Sequence, residues 1–273
     1  MQTQTNNDNI AEIVIEDNSH LPIVETKVGD ISVPLNVDIG GMGIMIDLDY
    51  AEEIGLFNLD MEHRTAKARG MGGEEMIVYL IEVERFEVAN RVVHNIQIGF
   101  MDFKNLKAGD AMSQSKGIVG YQFLKDYQLI LDYPKKTLEL RDSGSEITHP
   151  VHDLEYMAHH LVKIPVKVGD QLLTMVLDSG AGGFVLNKPS VDKIGWQYRL
   201  SEEKGRGIGG EVSTWEMEIS GFEVLDEKYP GLTARIMDMG EFYQDGIIGF
   251  SLLQYARLII DYPRKKISLT KSS

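Results

Sequence analysis

Two aspartates, each followed two positions later by a glycine, have the residue types needed for acid–base chemistry. Asp38 begins the segment Asp-Ile-Gly-Gly, and Asp178 begins the segment Asp-Ser-Gly-Ala; each follows a short apolar run. Two carboxyl groups held within about 3 Å of each other cannot both ionise easily, so they share one proton. One group can then act as a base towards water while the other acts as an acid towards a carbonyl oxygen. Such a pair could hydrolyse an amide without a metal ion.

An isolated Asp-Xaa-Gly segment is usually a turn in which the carboxylate bonds its own backbone. Here, however, both segments lie in repeated surroundings. Four blocks occur twice in the same order: 28–30 and 38–41 match 168–170 and 178–181, 69–74 matches 206–211, 117–121 matches 246–250, and 131–136 matches 260–265. Repetition in unchanged order indicates a tandem duplication, so the two aspartates are equivalent residues of two related halves.

The elements that must position these aspartates are predicted to be strands. Short apolar runs end at each glycine loop and resume after it, and β-branched and aromatic residues dominate the later segments of each half. Helical signals are short, and two of them end at Gly55 and Gly195. We therefore predict a mostly β protein with a polar N-terminal tail (1–17), a first lobe (18–145) and a second, similar lobe (146–273). A pseudo-twofold relation between the lobes would bring the two aspartate loops face to face.

Three segments of the second half resemble one known family. Residues 176–186, Val-Leu-Asp-Ser-Gly-Ala-Gly-Gly-Phe-Val-Leu, resemble the active-site loop of retropepsin-like aspartic proteases. Residues 207–210, Gly-Ile-Gly-Gly, are similar to the flap tip of retroviral proteases, and residues 246–249 with 260–265 resemble the closing segments of bacterial members. The first half carries counterparts of all three. The chain thus resembles a tandem-duplicated, single-chain bacterial member of this family, of the gag-polyprotein type.

This resemblance implies two closed, retropepsin-like β lobes (the acid protease fold) with an intramolecular pair of catalytic residues, Asp38 and Asp178, and no need for dimerisation. It implies a peptide or protein substrate bound in an extended conformation, and no cofactor. The active-site loops would contribute Ile39, Gly40, Gly41, Ser179, Gly180 and Ala181. The substrate-binding flaps would contribute Gly70, Met71, Gly72, Gly73, Gly207, Ile208, Gly209 and Gly210.

One position departs from the family pattern. In the family, a hydroxyl residue follows each aspartate and ties the two loops together. Ser179 fits this role, whereas the side chain of Ile39 can neither donate nor accept a hydrogen bond. An active aspartic endopeptidase is our first interpretation because both carboxyl groups are present. The alternative is a weak or inactive homologue that binds extended peptides. A structural or assembly protein that uses the edge of the former substrate groove is a more distant third interpretation.

Composition removes several other classes of function. The chain has no cysteine, which excludes thiolate zinc sites, iron–sulfur clusters and cysteine nucleophiles. Its net charge of −15 argues against a nucleic-acid partner. No apolar run is long enough to span a bilayer. His149, His152, His159 and His160 lack the spacing typical of a metal site, so we expect no metal. The polar start is not a signal peptide, which leaves the cytoplasm open, as well as an envelope or secreted location reached with a leader since removed.

Overall fold

Strands dominate the structure of this protein. The structure is a computed structural model, and it describes residues 10–15, 20–69, 75–103, 115–158, 160–207, 210–240 and 243–271. The strands form one lobe in each half of the chain and a sheet between the lobes, and the helices are short. This architecture confirms the prediction of a mostly β protein built from two similar lobes.

The first lobe is a closed barrel of six strands. Strands β2, β3, β8, β4, β7 and β6 follow one another around it, and β6 pairs back with β2 to close the circle, while β5 extends β6. The elements are β2 (Ile23–Val28), β3 (Ile31–Val37), β4 (Ile44–Asp47), α1 (Leu48–Glu53), β5 (Arg64–Arg69), β6 (Glu75–Val88), β7 (Arg91–Met101), β8 (Gly117–Val119) and α2 (Tyr121–Leu124).

The second lobe repeats this barrel. Its circle runs β13, β14, β21, β15, β20 and β19, and β19 pairs back with β13. The elements are β12 (Glu155–Met157), β13 (Leu161–Val168), β14 (Gln171–Leu177), β15 (Phe184–Asn187), α3 (Lys188–Ile194), β16 (Arg199–Leu200), β17 (Gly205–Gly207), β18 (Gly210–Val212), β19 (Trp215–Val224), β20 (Glu227–Met237), β21 (Gly246–Ile248) and α4 (Phe250–Leu253).

The same turn opens each barrel. Gly29 joins β2 to β3 and Gly169 joins β13 to β14, with φ values of +59° and +57°. This left-handed backbone conformation favours glycine, which explains the repeated Val-Gly-Asp block. The strands that follow, β3 and β14, end in buried residues and lead directly into the aspartate loops.

A six-stranded sheet joins the lobes. Its order is β1 (Ile10–Glu12), β10 (Thr137–Asp142), β9 (Tyr127–Asp132), β22 (Ala256–Asp261), β23 (Lys266–Lys271) and β11 (His152–Asp153). The central pair, β9 and β22, is antiparallel, and Ile130 lies opposite Ile259. These two residues are equivalent in the duplication, so the pseudo-twofold axis passes between them.

This shared sheet takes strands from both of the predicted lobes. One outer strand, β1, lies within the predicted N-terminal tail, and the other, β11, lies near the start of the predicted second lobe. One continuous apolar core runs through both barrels and the sheet, because buried side chains of each contact those of the next. The two lobes are therefore packed as a single body, and their relative position is fixed where the aspartate loops meet.

The sheet buries an aspartate near each end of its central pair. In the second half, Asp261 is 1% exposed and accepts hydrogen bonds from the Ser143 hydroxyl at 2.7 Å and the Gly144 N–H at 2.8 Å. The Arg264 N–H and the Gln128 amide donate to it at 3.2 and 3.3 Å. Burial alone would raise the pKa of this carboxyl, but the donors together outweigh burial and hold its pKa below the ordinary value.

We predict that Asp261→Ala lowers the free energy of unfolding by about 3 kcal/mol at pH 7, because it leaves buried donors unpaired. A carboxyl whose pKa is lowered by folding contributes stability above about pH 3.9, and this contribution is lost as the pH falls through the folded-state pKa. The difference from wild type should therefore shrink in acid. Urea unfolding at several pH values measures it, with the exposed Asp170→Ala as control; equal effects of the two variants would contradict the prediction.

Candidate active site

The two aspartate loops, residues 38–43 and 178–183, are held by equivalent backbone hydrogen bonds. The Asp38 N–H donates to the Val119 carbonyl, and the Asp178 N–H donates to the Ile248 carbonyl, both at 3.0 Å. Further along, the first residue of α2 donates to Gly41 and the first residue of α4 donates to Ala181, both at 2.9 Å. Strands β8 and β21, with the short helices after them, therefore form the back support of the loops. This explains why the Gly-Ile-Xaa-Gly block is repeated.

Each aspartate side chain lies against the glycine of the opposite loop. A Cβ atom placed on Gly40 would lie 2.5 Å from Asp178 Cγ and less than 3 Å from both of its oxygens. One placed on Gly180 would lie 3.1 Å from Asp178 Oδ1 and 3.2 Å from both Asp38 oxygens. The loops thus approach so closely that a side chain on Gly40 would collide with Asp178 and one on Gly180 would be tightly crowded, and the two carboxyl groups lie side by side.

Backbone N–H groups surround the two carboxyl groups. The Gly180 N–H donates to Asp178 Oδ1 at 2.7 Å, and the Gly40 N–H lies within reach of both carboxyls. The Gly41 N–H donates to the backbone carbonyl of Asp38 at 3.1 Å and lies close enough to the Asp38 carboxyl to favour its charged form. One oxygen, Asp38 Oδ1, is buried and has no hydrogen-bond donor in the described part of the chain. A proton held between this carboxyl and Asp178 would satisfy it.

The pKa of both carboxyls lies above its ordinary value. Burial is the main cause for Asp38, whose pKa is raised well above the usual range, and the neighbouring charge of Asp178 and a hydrogen bond with it act in the same direction. Burial also raises the pKa of Asp178, but the Gly180 N–H, the hydrogen bond with Asp38 and the nearby His20 partly offset it. The two groups titrate as a coupled pair.

Ser179 ties the two lobes together directly behind the carboxyls. Its hydroxyl is completely buried, donates to the Val37 carbonyl at 2.6 Å and accepts from the Ile39 N–H at 2.9 Å. Ile39, the equivalent residue of the first loop, is 1% exposed and its side chain belongs to the apolar core. One of the two expected hydroxyl bridges is thus present, and an aliphatic side chain occupies the place of the other.

A pair of antiparallel strands leads to each predicted flap, one pair in each lobe. Strands β5 and β6 pair up to Arg69 and Glu75, and β17 and β18 pair Gly207 with Gly210. The other predicted flap residues, Gly70, Met71, Gly72, Gly73, Ile208 and Gly209, lie outside the described residues. A small apolar cluster lies near the base of each hairpin. Their buried members are Val78, Met101 and Phe103 in the first lobe, and Leu161, Val176, Met237, Met239 and Ile247 in the second.

Three side chains near the carboxyls were not predicted as site residues. Burial raises the pKa of Tyr133 and Tyr243, and the charge of Asp178 and Asp38 acts in the same direction, so both phenols lie within electrostatic reach of the pair. His20 donates across the lobe junction to the second aspartate loop. Repetition was the available signal for two of them, since Tyr133 matches Tyr262 and His20 matches His160. Repetition of a tyrosine or a histidine can equally reflect a structural role in each lobe. The sequence also does not show which lobe a given side chain reaches.

Other kinds of site find no support in the described residues. Within them, no three histidine, aspartate or glutamate side chains are grouped as a metal would require, and His159 lies outside them. None of the helices in the described ranges has the length and apolar character needed to cross a bilayer.

Two similar closed β lobes, with an aspartate loop from each at their junction, define the class of two-lobed acid proteases. The family model described as aspartyl protease matches residues 24–123 and again residues 164–252. These matches cover well over half of the chain, so the chain belongs to the aspartyl protease family, and this membership supports a protease function. A search of curated proteins finds no match.

We predict that Ser179→Ala lowers the free energy of unfolding by about 2–4 kcal/mol, because it leaves the Ile39 N–H and the Val37 carbonyl buried without a partner. Ser179→Thr keeps the hydroxyl and should cost far less. Ile39→Val removes one buried methylene from the equivalent position and should cost about 0.5–1.5 kcal/mol. Denaturant unfolding compares the three variants; a loss no larger for Ser179→Ala than for Ile39→Val would show that the bridge does not stabilise the fold.

Proposed function

We propose that this protein is an aspartic endopeptidase in which Asp38 and Asp178 together activate a water molecule. The observation that carries the proposal is the meeting of the two carboxyls, each packed on the glycine of the other's loop. Burial and mutual charge favour a single shared proton, which is the protonation state that acid–base catalysis by such a pair requires. Both half-sites belong to one chain, so dimerisation is not needed.

In this mechanism Asp178 is the base, because the N–H groups of Gly180 and Gly40 stabilise its charged form. It removes a proton from water as the water oxygen forms a bond to the peptide carbonyl carbon. Asp38 gives its proton to the carbonyl oxygen, which yields a neutral gem-diol. The proton on Asp178 then passes to the amide nitrogen, the carbon–nitrogen bond breaks, and the gem-diol returns one hydroxyl proton to Asp38. The products are a carboxylic acid and an amine, and the pair regains its single proton.

The surroundings of the carboxyls favour an extended peptide as substrate. Antiparallel strand pairs lead to the predicted flap in each lobe. If the flaps cover the carboxyls, a strand-like peptide between them can satisfy its backbone groups along its length. The apolar clusters near the hairpins contain methionines, whose flexible side chains adapt to different apolar partners. We therefore propose that a peptide or denatured protein binds with apolar side chains next to the cleaved bond.

Cleavage of a denatured protein mixture between pH 3 and 7 tests this function. Asp38→Asn and Asp178→Asn should each lower the rate by about 10²–10⁴-fold or more, and pepstatin should inhibit the wild type. Asp30→Asn and Asp170→Asn are matched controls, because these residues lie in the exposed turns of the same repeats. No cleavage by the wild type at any pH would overturn the proposal, and peptide binding retained in that case would identify the inactive peptide-binding homologue instead.

We also predict the direction of the pH dependence. Because the pKa of Asp38 is raised, the singly protonated pair should persist at pH values well above the ordinary aspartate pKa of about 3.9. The alkaline fall of kcat/KM should therefore begin only well above this pH. A carboxyl whose pKa is raised by folding contributes stability that is fully present below its unfolded-state pKa. This contribution is lost as the pH rises through its folded-state pKa. Asp38→Asn should therefore raise Tm at pH 7 and leave it unchanged near pH 3. A rate already lost at pH 4.5, or a lower Tm at pH 7, would contradict this prediction.

A further inference from the structure

His20 reaches from the first lobe to the catalytic loop of the second. It lies three residues before β2, and its Nε2 atom is 3.1 Å from the carbonyl oxygen of Gly180. Because a carbonyl oxygen only accepts, this contact requires the proton on Nε2. The ring also lies near Phe250, the first residue of α4, with 6.4 Å between ring centroids. The contact is therefore a hydrogen bond between residues 160 positions apart, held by a partly buried ring.

Among the described residues, no equivalent hydrogen bond from His160 to the first aspartate loop is found on the other side of the pseudo-twofold axis. His160 lies near Tyr121, the counterpart of Phe250, at 6.3 Å, but its Nδ1 atom bonds the Ala158 carbonyl at 2.9 Å, two residues away. The imidazole of the first half therefore reaches across the junction, whereas that of the second half bonds locally.

The sequence of the two loops accounts for this difference. The ring of His20 packs on Gly182, where a Cβ atom would lie 2.8 Å from ring atoms Cε1 and Nδ1. The counterpart of Gly182 in the first loop is Met42, whose side chain is 54% exposed. Of these two equivalent positions, only the one that a histidine ring covers, in the second loop, lacks a side chain. His20 and Gly182 therefore form a matched pair.

The atom that His20 binds belongs to the residue between the two carboxyls. Gly180 donates its N–H to Asp178 Oδ1 at 2.7 Å, and its Cα faces both carboxyl groups. Movement of the Gly180 peptide would therefore change the distance between the acid and the base. The hydroxyl of Ser179, the residue before Gly180, bonds the first loop and so holds one side of this peptide. Ile39, the equivalent residue of the first loop, has no hydroxyl that could hold the peptide from the other side.

We infer that His20 is a positioning residue: its hydrogen bond to Gly180 supplies the second tie between the lobes that Ile39 does not, and it fixes Asp178 relative to Asp38. The effect on rate rests on the proposed peptidase function, whereas the tie itself does not.

Three variants of the full chain test this inference. His20→Leu removes the donor, His20→Gln keeps an N–H donor on a side chain of similar reach, and His160→Leu is the matched control. On a peptide that the wild type cleaves, His20→Leu should lower kcat about tenfold with KM changed less than twofold, because misplaced catalytic groups affect the chemical step. His20→Gln should recover kcat to within about threefold of wild type, and His160→Leu should leave both constants unchanged.

Amide hydrogen exchange by NMR, measured on the same proteins, separates this inference from the proposed function. The Ala181 N–H, which donates to the Asp178 carbonyl, should exchange at least fivefold faster in His20→Leu than in wild type or His160→Leu, and His20→Gln should restore protection. This result in a wild type without peptidase activity would support the tie and refute the peptidase. Unchanged exchange in His20→Leu, or failure of His20→Gln to restore it, would overturn the inference whatever the activity.

Discussion

The carboxyl groups of Asp38 and Asp178 share one small, half-buried space at the lobe junction, and their proximity constrains the structure around them. Two ionised carboxylates repel each other more strongly as water is removed, so the arrangement lasts only if the fold holds it in place. Gly40 and Gly180 leave room for the opposite side chain, and N–H groups of the loops stabilise the charge that remains. The shared sheet supplies the rest, because its core is continuous with both barrels.

Much of this arrangement can be predicted from the duplication alone. Repeated blocks locate the two loops, the turn at Gly29 and Gly169, and the hairpins, because each block reflects a local demand of the backbone. The closure of the barrels and the six-stranded sheet are less accessible, since pairing between distant strands leaves no short-range pattern. The strand at Ile10–Glu12 shows the same limit, because polar residues precede it while its partner, β10, lies more than 120 residues away.

The same limit applies to His20. Its match with His160 is visible in the sequence, yet identical residues in the two halves make different contacts, because Met42 and Gly182 differ at the place where each ring could pack. Ile39 and Ser179 differ in a similar way, one in the apolar core and the other in a bridge between lobes. A duplicated sequence predicts where equivalent residues lie. It does not predict which of each pair crosses the axis.

The central strands of the shared sheet have a consequence for how such a chain can change over time. Half of the chain on its own would carry β9 or β22 as an edge strand without a partner on one side. Because the equivalent residues Ile130 and Ile259 face each other, each such edge is complementary to a second copy of itself. Two separate halves would associate at a rate and to an extent set by protein concentration. Covalent linkage makes the same pairing intramolecular, so its strength no longer depends on expression level. Linkage also allows each loop to accumulate its own substitutions, since a change in one copy is no longer imposed on both sides of the axis.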